Sequence, residues 1–368
     1  MERVGVGVIG CGIGKWHLEG FSQDSRADIV AIAGLDSDRC IQHAKVHNVP
    51  NIYSDYQQLL ARDDIAAVSV AVPNFLHVPV GLDAIAAGKH VLMEKPLARS
   101  EEEGATLVRA AKEAGLVLGI IFNRRARSDM EVLRAHIRNG GLGAIYHAKA
   151  FWRRRSGIPG LGSWFTSKEL AGGGPLIDLG VHVLDMALWQ MDDPEIATVS
   201  ASTYSAIGPQ GLGHWSGDRF TVETTSNFEV EDLAVAFIRT TSGASIFLEA
   251  SWAAHTSDTD EFGIYLLGHK GGAELHVKDY ATVDTLRLFG DIDGVPVDTT
   301  PRLPVKIPSA GHAQIASAFL DSIINGVPMS PSGDDGLHRT RILDAIYTSA
   351  QEGRELSLQP VLATSGEA

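Results

Sequence analysis

Val4–Gly5–Val6–Gly7–Val8–Ile9–Gly10–Cys11–Gly12–Ile13–Gly14 is the stretch that decides the fold. Its first half is an apolar, β-branched run, which reads as a strand. Its second half is a glycine-rich turn, and Trp16–Phe21 continues as a helix. A strand that passes through such a turn into a helix is suited to hold a phosphate. The first glycine permits the tight turn, and the second lets the backbone approach a pyrophosphate. The helix N-terminus offers amide donors at the positive end of its dipole. Gly10, Cys11, Gly12, Ile13 and Gly14 are therefore candidate cofactor-binding residues, although the third glycine comes one residue earlier than the usual spacing.

Outward from this turn, strands and helices alternate. Strands are expected at Asp28–Ala33, Ala66–Val72, His90–Met93 and Val117–Phe122. Helices are expected at Asp38–His47, at Asp55–Ala61 with Asp55 as N-cap, at Val78–Ala87 stopping at Gly88, and from Ser100 to about Ala114. Ser100 followed by Glu103 is a capping-box pattern. Continuous apolar strands between helices predict a doubly wound parallel sheet, an α/β Rossmann domain over residues 1–122. Asp36 closes the second strand about twenty residues after the glycine turn, where an acidic residue hydrogen-bonds a ribose 2′-hydroxyl. A carboxylate there repels a 2′-phosphate, which favours NAD over NADP. Arg39 is the residue that could reach such a phosphate, and Asp38 beside it argues the other way.

Residues 123–368 read as an α+β domain with a large, mostly antiparallel open sheet. After a helix at Met130–Arg138, strands are expected at Ile145–Arg153, Thr198–Ser205, Phe220–Glu229, Leu233–Thr240, Ser245–Trp252, Phe262–Leu267, Ala273–Val277 and Thr285–Phe289. Helices around Ala313–Asn325 and Gly336–Ala350 close the chain, Ser156–Gly174 reads as a junction loop, and Val361–Ala368 as a frayed tail.

Composition narrows the functional classes. The chain has 368 residues, with 31 Lys and Arg against 45 Asp and Glu, a formal charge of −14. That balance disfavours a nucleic-acid partner. No apolar run approaches the ~18 residues of a membrane span. The opening Met-Glu-Arg lacks the pattern of a secretory signal. Cys11 and Cys40 are too few for a disulfide framework and lack zinc-site spacing, so the expected setting is soluble, reducing and cytoplasmic.

Two further motifs carry chemistry. Glu94–Lys95–Pro96 stands at the end of a buried strand, where ligands bind in open α/β sheets, and a lysine there suits the polarisation of an alcohol or carbonyl oxygen. Pro96 restricts Lys95 to extended backbone and is a candidate for a cis bond. Pro73 and Asn74, with His77 after them, end the neighbouring strand, which places them near the ribose and nicotinamide. The second motif is a nearly wholly apolar helix, Leu176 to about Gln190, interrupted on one face by Asp178, His182 and Asp185. Ionisable groups in an apolar helix are costly unless paired or working. Asp178 one turn before His182 fits a catalytic pair in which the carboxylate orients a general base; a structural network and a metal site are the competing readings. No wider cluster suggests a metal.

Together, Gly10–Gly14 with His17, Asp36, Pro73–Asn74 with His77, Glu94–Lys95–Pro96, and Gly173–Gly174 leading into Asp178, Gly180, His182 and Asp185 resemble the glucose–fructose oxidoreductase / inositol dehydrogenase / rhizopine catabolism (Gfo/Idh/MocA) family. The closing Ser349–Ala350–Gln351–Glu352–Gly353–Arg354 resembles that family's last helix. The resemblance implies a dehydrogenase of a cyclic polyol such as a pyranose, anhydrosugar or inositol, with Lys95, Asp178 and His182 as the catalytic trio. It also implies an open sheet that builds homodimers or homotetramers. Asn123, Trp152 and Arg154 are added as candidate substrate-binding residues, and the segment from Gly157 to Phe165 as a loop over the pocket. Strand alternation puts Trp152 and Arg154 on one face and Arg153 and Arg155 on the other. The run of arginines also admits an anionic substrate. Two other functions remain open: an NAD-dependent glycosidase of the same fold, and a non-enzymatic sensor of a sugar or nucleotide.

Overall fold

A computed structural model describes residues 3–214, 228–307 and 309–358. The first six strands are β1 (Val4–Ile9), β2 (Ala27–Ala33), β3 (Asn51–Tyr53), β4 (Ala67–Val70), β5 (His90–Met93) and β6 (Leu118–Ile120). They form one parallel sheet in the order β3-β2-β1-β4-β5-β6. The apolar runs are buried on both sides: Val6, Val8, Ile32, Val68, Val70 and Met93 are all inaccessible to solvent. The register aligns the strand ends. Ile9 pairs with Ala33 and with Val70, and Val70 pairs with Met93. The turns that leave β1, β2, β4 and β5 therefore lie along one edge. The strand order reverses between β1 and β4, the switch point at which such sheets bind ligands. Both expected N-caps form: Asp55 accepts from the Gln57 amide at 2.9 Å, and Ser100 from the Glu103 amide at 3.3 Å.

The remaining strands are β7 (Ile145–Arg154), β8 (Ile196–Tyr204), β9 (Leu233–Thr240), β10 (Ser245–Ser251), β11 (Asp260–Gly268), β12 (Gly272–Lys278), β13 (Leu286–Ile292), β14 (Val295–Thr299) and β15 (Leu356–Ser357). They make a nine-stranded sheet, β14-β13-β12-β11-β7-β10-β9-β8-β15. Every neighbouring pair is antiparallel except β7 with β10. Helix Val181–Gln190 covers β7, β10 and β11. Of the expected strand at 220–229, residues 220–227 lie outside the described residues, as does the tail at 361–368. Strands β3, β14 and β15 were not expected. β14 carries Pro296 on a sheet edge, and β15 is two residues long, so neither has a readable alternation. The expected loop at 156–174 contains a short helix, Lys168–Ala171, that ends at Gly172 with φ +86°.

The chain forms two compact units, and neither is a continuous segment. The first comprises 1–130, 164–173 and 304–341; the second comprises 131–163, 174–303 and 342–368. The boundary expected at residue 122 thus lies inside the first unit. Helix Ala310–Asn325 joins that unit because Phe319 and Leu320 pack with Val4, Val6, Phe21 and Leu92. Gly20 allows the close approach: a side chain there would stand 2.9 Å from the His312 carbonyl carbon. Among the described residues no helix is long and apolar enough to cross a membrane.

Candidate active site

In the first unit the glycines of the turn have distinct physical roles. Gly10 has φ +112°, and a Cβ there would overlap the Ala71 carbonyl. Gly12 has open space where a Cβ would project, which leaves room for a phosphate to approach the backbone. Gly14 sits buried at the start of helix Gly14–Ser22, where a Cβ would press on Val8 at 3.3 Å. Cys11 is buried and Ile13 is exposed. A crowded first glycine, an open second and a helix-packing third fit a dinucleotide pyrophosphate.

Asp36 is exposed at the N-cap of helix Ser37–His47. Its carboxylate accepts from the Arg39 amide at 3.1 Å, and a second oxygen lies 3.3 Å from Arg39 Nε. Arg39, the residue that could meet a 2′-phosphate, is turned onto the carboxylate that repels one. Asn74, following Pro73 at the end of β4, donates from Nδ2 to the Ala171 carbonyl at 2.8 Å. Asn123 keeps Oδ1 buried without a hydrogen-bond partner.

His77, expected near the ribose and nicotinamide, has both ring nitrogens against main-chain carbonyls. It is 1% exposed, with Nδ1 2.6 Å from the Pro96 carbonyl and Nε2 2.9 Å from the Val72 carbonyl. It braces the turn after β4 against the turn after β5. Burial lowers its pKa against the pull of the two carbonyls.

Glu94 is likewise hydrogen-bonded within the protein. Its Oε1 lies 3.0 Å from His17 Nε2, and its Oε2 accepts from the Lys95 amide at 2.9 Å. His17 Nδ1 lies 2.6 Å from the Ser69 hydroxyl, and His312 Nε2 lies 3.8 Å from Glu94. Burial pushes the Glu94 carboxyl up, but His17 and His312 outweigh it and hold the group well below the usual range. Burial holds His17 down, against the pull of Glu94. A neutral His17 beside a carboxylate must donate from Nε2 and accept from Ser69 at Nδ1. These three side chains place their ligand-type atoms within 4.8 Å of one another, a cluster the sequence did not reveal because His312 is so distant. Lys95, half-buried, follows Glu94, and the Lys95–Pro96 bond is cis.

Glu94 and His17 both have folded-state values below their unfolded ones. The stability they contribute is present above the unfolded values, about 4.5 and 6.5, and is lost as pH falls through the folded ones. Glu94→Gln should therefore reduce the acid loss of stability. The urea midpoint of the variant, followed as pH falls below 4.5, where the Glu94 contribution is lost, should fall less steeply than that of the parent; equal slopes there would exclude this origin.

In the second unit, Pro175 opens a helix that begins unusually. Leu176–Gly180 is a π-turn, and regular α-helix runs only from Val181 to Gln190. The helix expected over Leu176–Gln190 is thus continuous, but its first turn, which holds Asp178, is wound as π. π-turns of this kind often sit at functional sites. Glu231, buried on the chain before β9, anchors the start: it accepts from the Gly174 and Leu176 amides at 3.0 Å each and from the Tyr347 hydroxyl at 2.9 Å. Burial raises its pKa. Glu231→Gln keeps the volume but turns an amide donor toward one of these donors, or leaves it unmet. We expect a loss of about 1–3 kcal/mol, read as a lower urea midpoint with an unchanged m-value.

Asp178 is half-buried and accepts from Trp252 Nε1 at 2.9 Å. His182, 8% exposed, lies with its ring 5.7 Å from that of Trp152. Asp185 is buried on the same helix. Trp152 and Arg154 share the buried face of β7, as alternation predicted. Both are bound by one carboxylate: Asp260 accepts from Trp152 Nε1 and from Arg154 Nε, each at 2.8 Å. Arg154 also donates to the Tyr280 hydroxyl at 2.9 Å. Burial opposes its charge, but Tyr280, Asp260 and Asp178 outweigh burial and raise its pKa. Trp152, 2% exposed, packs on Phe262 at 4.6 Å and so supports the wall behind His182 in place of offering a free stacking face. On the opposite face Arg153 pairs with Glu261 at 2.6 Å.

The first unit thus collects the glycine turn, Asp36, Asn74, Asn123 and Lys95. The second collects Asp178, His182, Trp152 and Arg154. Sequence reasoning missed His312, Glu231, Trp252, Asp260 and Tyr280. Only the register of β11 on β7, which pairs Asp260 with Arg154, exposes part of this set.

Residues 4–122 match a family described as an oxidoreductase family with an NAD-binding Rossmann fold, and residues 130–274 match the Gfo/Idh/MocA C-terminal domain. The chain is 29% identical to the D-glucoside 3-dehydrogenase of Escherichia coli over 96% of its own length and 97% of that protein. It is 28% identical to the levoglucosan dehydrogenase of Pseudarthrobacter phenanthrenivorans, over 95% of this chain and 97% of that one. A solved structure of levoglucosan dehydrogenase in complex with NADH superposes with a TM-score of 0.85 at 25% identity, covering 97% of this chain and 100% of that one.

Proposed function

The chain belongs to the Gfo/Idh/MocA oxidoreductase family, and from that premise we propose that it oxidises a secondary ring hydroxyl of a neutral cyclic polyol to a ketone, reversibly, with NAD as its cofactor. The observation that carries the substrate class is the neutralisation of Arg154 by Asp260 beside the helix of Asp178 and His182. A site built for a carboxylate or phosphate keeps an arginine fork available to it. Here that fork is committed, and Arg153 is committed on the other face. Relatives named as a D-glucoside 3-dehydrogenase and a levoglucosan dehydrogenase support a sugar-ring substrate.

In this reading NAD supplies the hydride acceptor. The glycine turn binds its pyrophosphate and Asp36 its ribose. His182 takes the proton of the substrate hydroxyl, Asp178 orients His182, and Lys95 holds and polarises the oxygen on which negative charge develops. Asn123 hydrogen-bonds the sugar. The reading extends to two or four copies associating through the nine-stranded sheet, which light scattering tests.

The deciding experiment follows NADH formation with NAD and NADP in parallel. The panel holds levoglucosan, methyl glucosides, free pyranoses and inositols, with glucuronate and glucose 6-phosphate as anionic comparisons. Turnover with NAD and a neutral ring polyol is expected. Preference for an anionic compound would overturn the substrate class. Sugar release from a glycoside without net NADH would replace the dehydrogenase with the glycosidase of the same fold.

A further inference from the structure

The two cysteines, too few for a disulfide framework, nevertheless pair: Cys11 and Cys40 are joined as a disulfide, with Cα atoms 5.5 Å apart across a sequence separation of 29. Strand β1 and the helix after β2 bring them together. The place of this bond gives it meaning. Cys11 lies inside the phosphate-binding turn, between Gly10 and Gly12. Cys40 lies in the first turns of helix Ser37–His47, whose N-cap is Asp36. Gly34, between them, leaves room for the sulfurs, since a Cβ there would overlap both. One turn along the same helix, His43 Nε2 lies 3.2 Å from the Cys11 carbonyl. The bond therefore ties the turn that would hold the pyrophosphate to the helix that would hold the ribose.

We propose that Cys11 and Cys40 form a thiol–disulfide couple that sets the affinity of this unit for NAD, an inference that rests on the NAD-dependent reading above. Both residues belong to one packed cluster with Val8, Leu18, Ile32, Ala44 and Val49. When the bond is reduced, two sulfurs must separate within that cluster. Cys40 is fully buried in a helix, whereas Cys11 is 6% exposed and its neighbour Ile13 is 46% exposed. The turn is the part that can move. The oxidised form keeps it ordered for the pyrophosphate, and the reduced form must order it on binding.

The exchange balances with a small thiol alone. Its thiolate attacks Sγ of Cys11, the less buried of the two residues; the S–S bond breaks and Cys40 leaves as a thiolate that takes up a proton. A second thiolate attacks the added sulfur, releasing Cys11 and a small-molecule disulfide. Oxidation runs in reverse, with a low-molecular-weight disulfide as oxidant. Because linkage is reciprocal, the factor by which oxidation tightens NADH binding is the factor by which NADH resists reduction.

The test uses the full chain, treated with dithiothreitol or with glutathione disulfide and checked by intact mass and thiol count. NADH fluorescence titrations should give a Kd about tenfold weaker in the reduced form. Dithiothreitol redox titrations should then shift by about 30 mV when NADH saturates the protein. Cys40→Ser and Cys40→Ala should bind NADH like the reduced protein under both treatments. Two free thiols after glutathione disulfide, or Kd values within twofold of each other, would overturn the inference while leaving the dehydrogenase reading intact. Absence of NADH binding in either form would overturn both.

Discussion

His182→Ala lowers kcat for the best substrate of the panel by a factor on the order of 10²–10⁴, the range that a positioned general base supplies, and leaves the Kd for NADH within about twofold. The two halves of this result have separate physical origins. His182 sits on the helix of the second unit, backed by Trp152, whose own indole is fixed by Asp260. The residues proposed to bind the dinucleotide lie in the first unit. Removing the imidazole takes away the proposed proton acceptor without touching the glycine turn. His182→Gln, closer in volume, separates lost chemistry from lost packing: it should be as inactive as the alanine variant but closer to the parent in stability. Trp252→Phe removes the donor to Asp178 and should cost less, since Asp178 acts through its neighbours. An alanine variant that keeps more than a tenth of the parent's kcat would remove His182 from the base role.

Gly10→Ala and Gly12→Ala should fail in opposite ways. At Gly10 the backbone has φ +112°, and a Cβ would overlap the Ala71 carbonyl that follows β4. Left-handed strain and steric overlap together should cost about 3 kcal/mol or more, a fall in melting temperature visible without any ligand. At Gly12 a Cβ meets nothing within 4 Å. Stability should stay within about 0.5 kcal/mol. The methyl would instead occupy the space through which a pyrophosphate reaches the backbone, and NADH affinity should fall more than tenfold. Calorimetry and NADH fluorescence on the two variants read these outcomes independently. Undiminished NADH binding by a folded Gly12→Ala protein would show that the dinucleotide lies elsewhere.

Much of the fold was legible in the chain. Strand-turn-helix order at Val4–Gly14, buried apolar runs and caps at Asp55 and Ser100 are local signals, and each corresponds to an observed strand or helix of the first unit. The alternation of Trp152 and Arg154 is also local, and both residues are buried on one face of β7. Strands β14 and β15 escaped notice because a proline edge and a two-residue pairing carry no period. The helix at Leu176 was read as uniform because a π-turn changes hydrogen bonding without changing the apolar pattern.

By itself the sequence determined the two kinds of sheet, the phosphate-type turn and the placement of Lys95, Asp178 and His182 on strand ends and a helix, since these depend on spacing between near neighbours. The tertiary structure alone decided which distant groups meet. It set His17 and His312 around Glu94, Trp252 on Asp178, Asp260 between Trp152 and Arg154, and Cys40 on Cys11. It also returned helix Ala310–Asn325 to the first unit. Such pairings follow from strand order, register and helix packing, and the hydrogen-bonding capacity that each side chain has left depends on them. That is why His77 and Glu94, which read as ligand-facing in the chain, are bound inward in the folded protein.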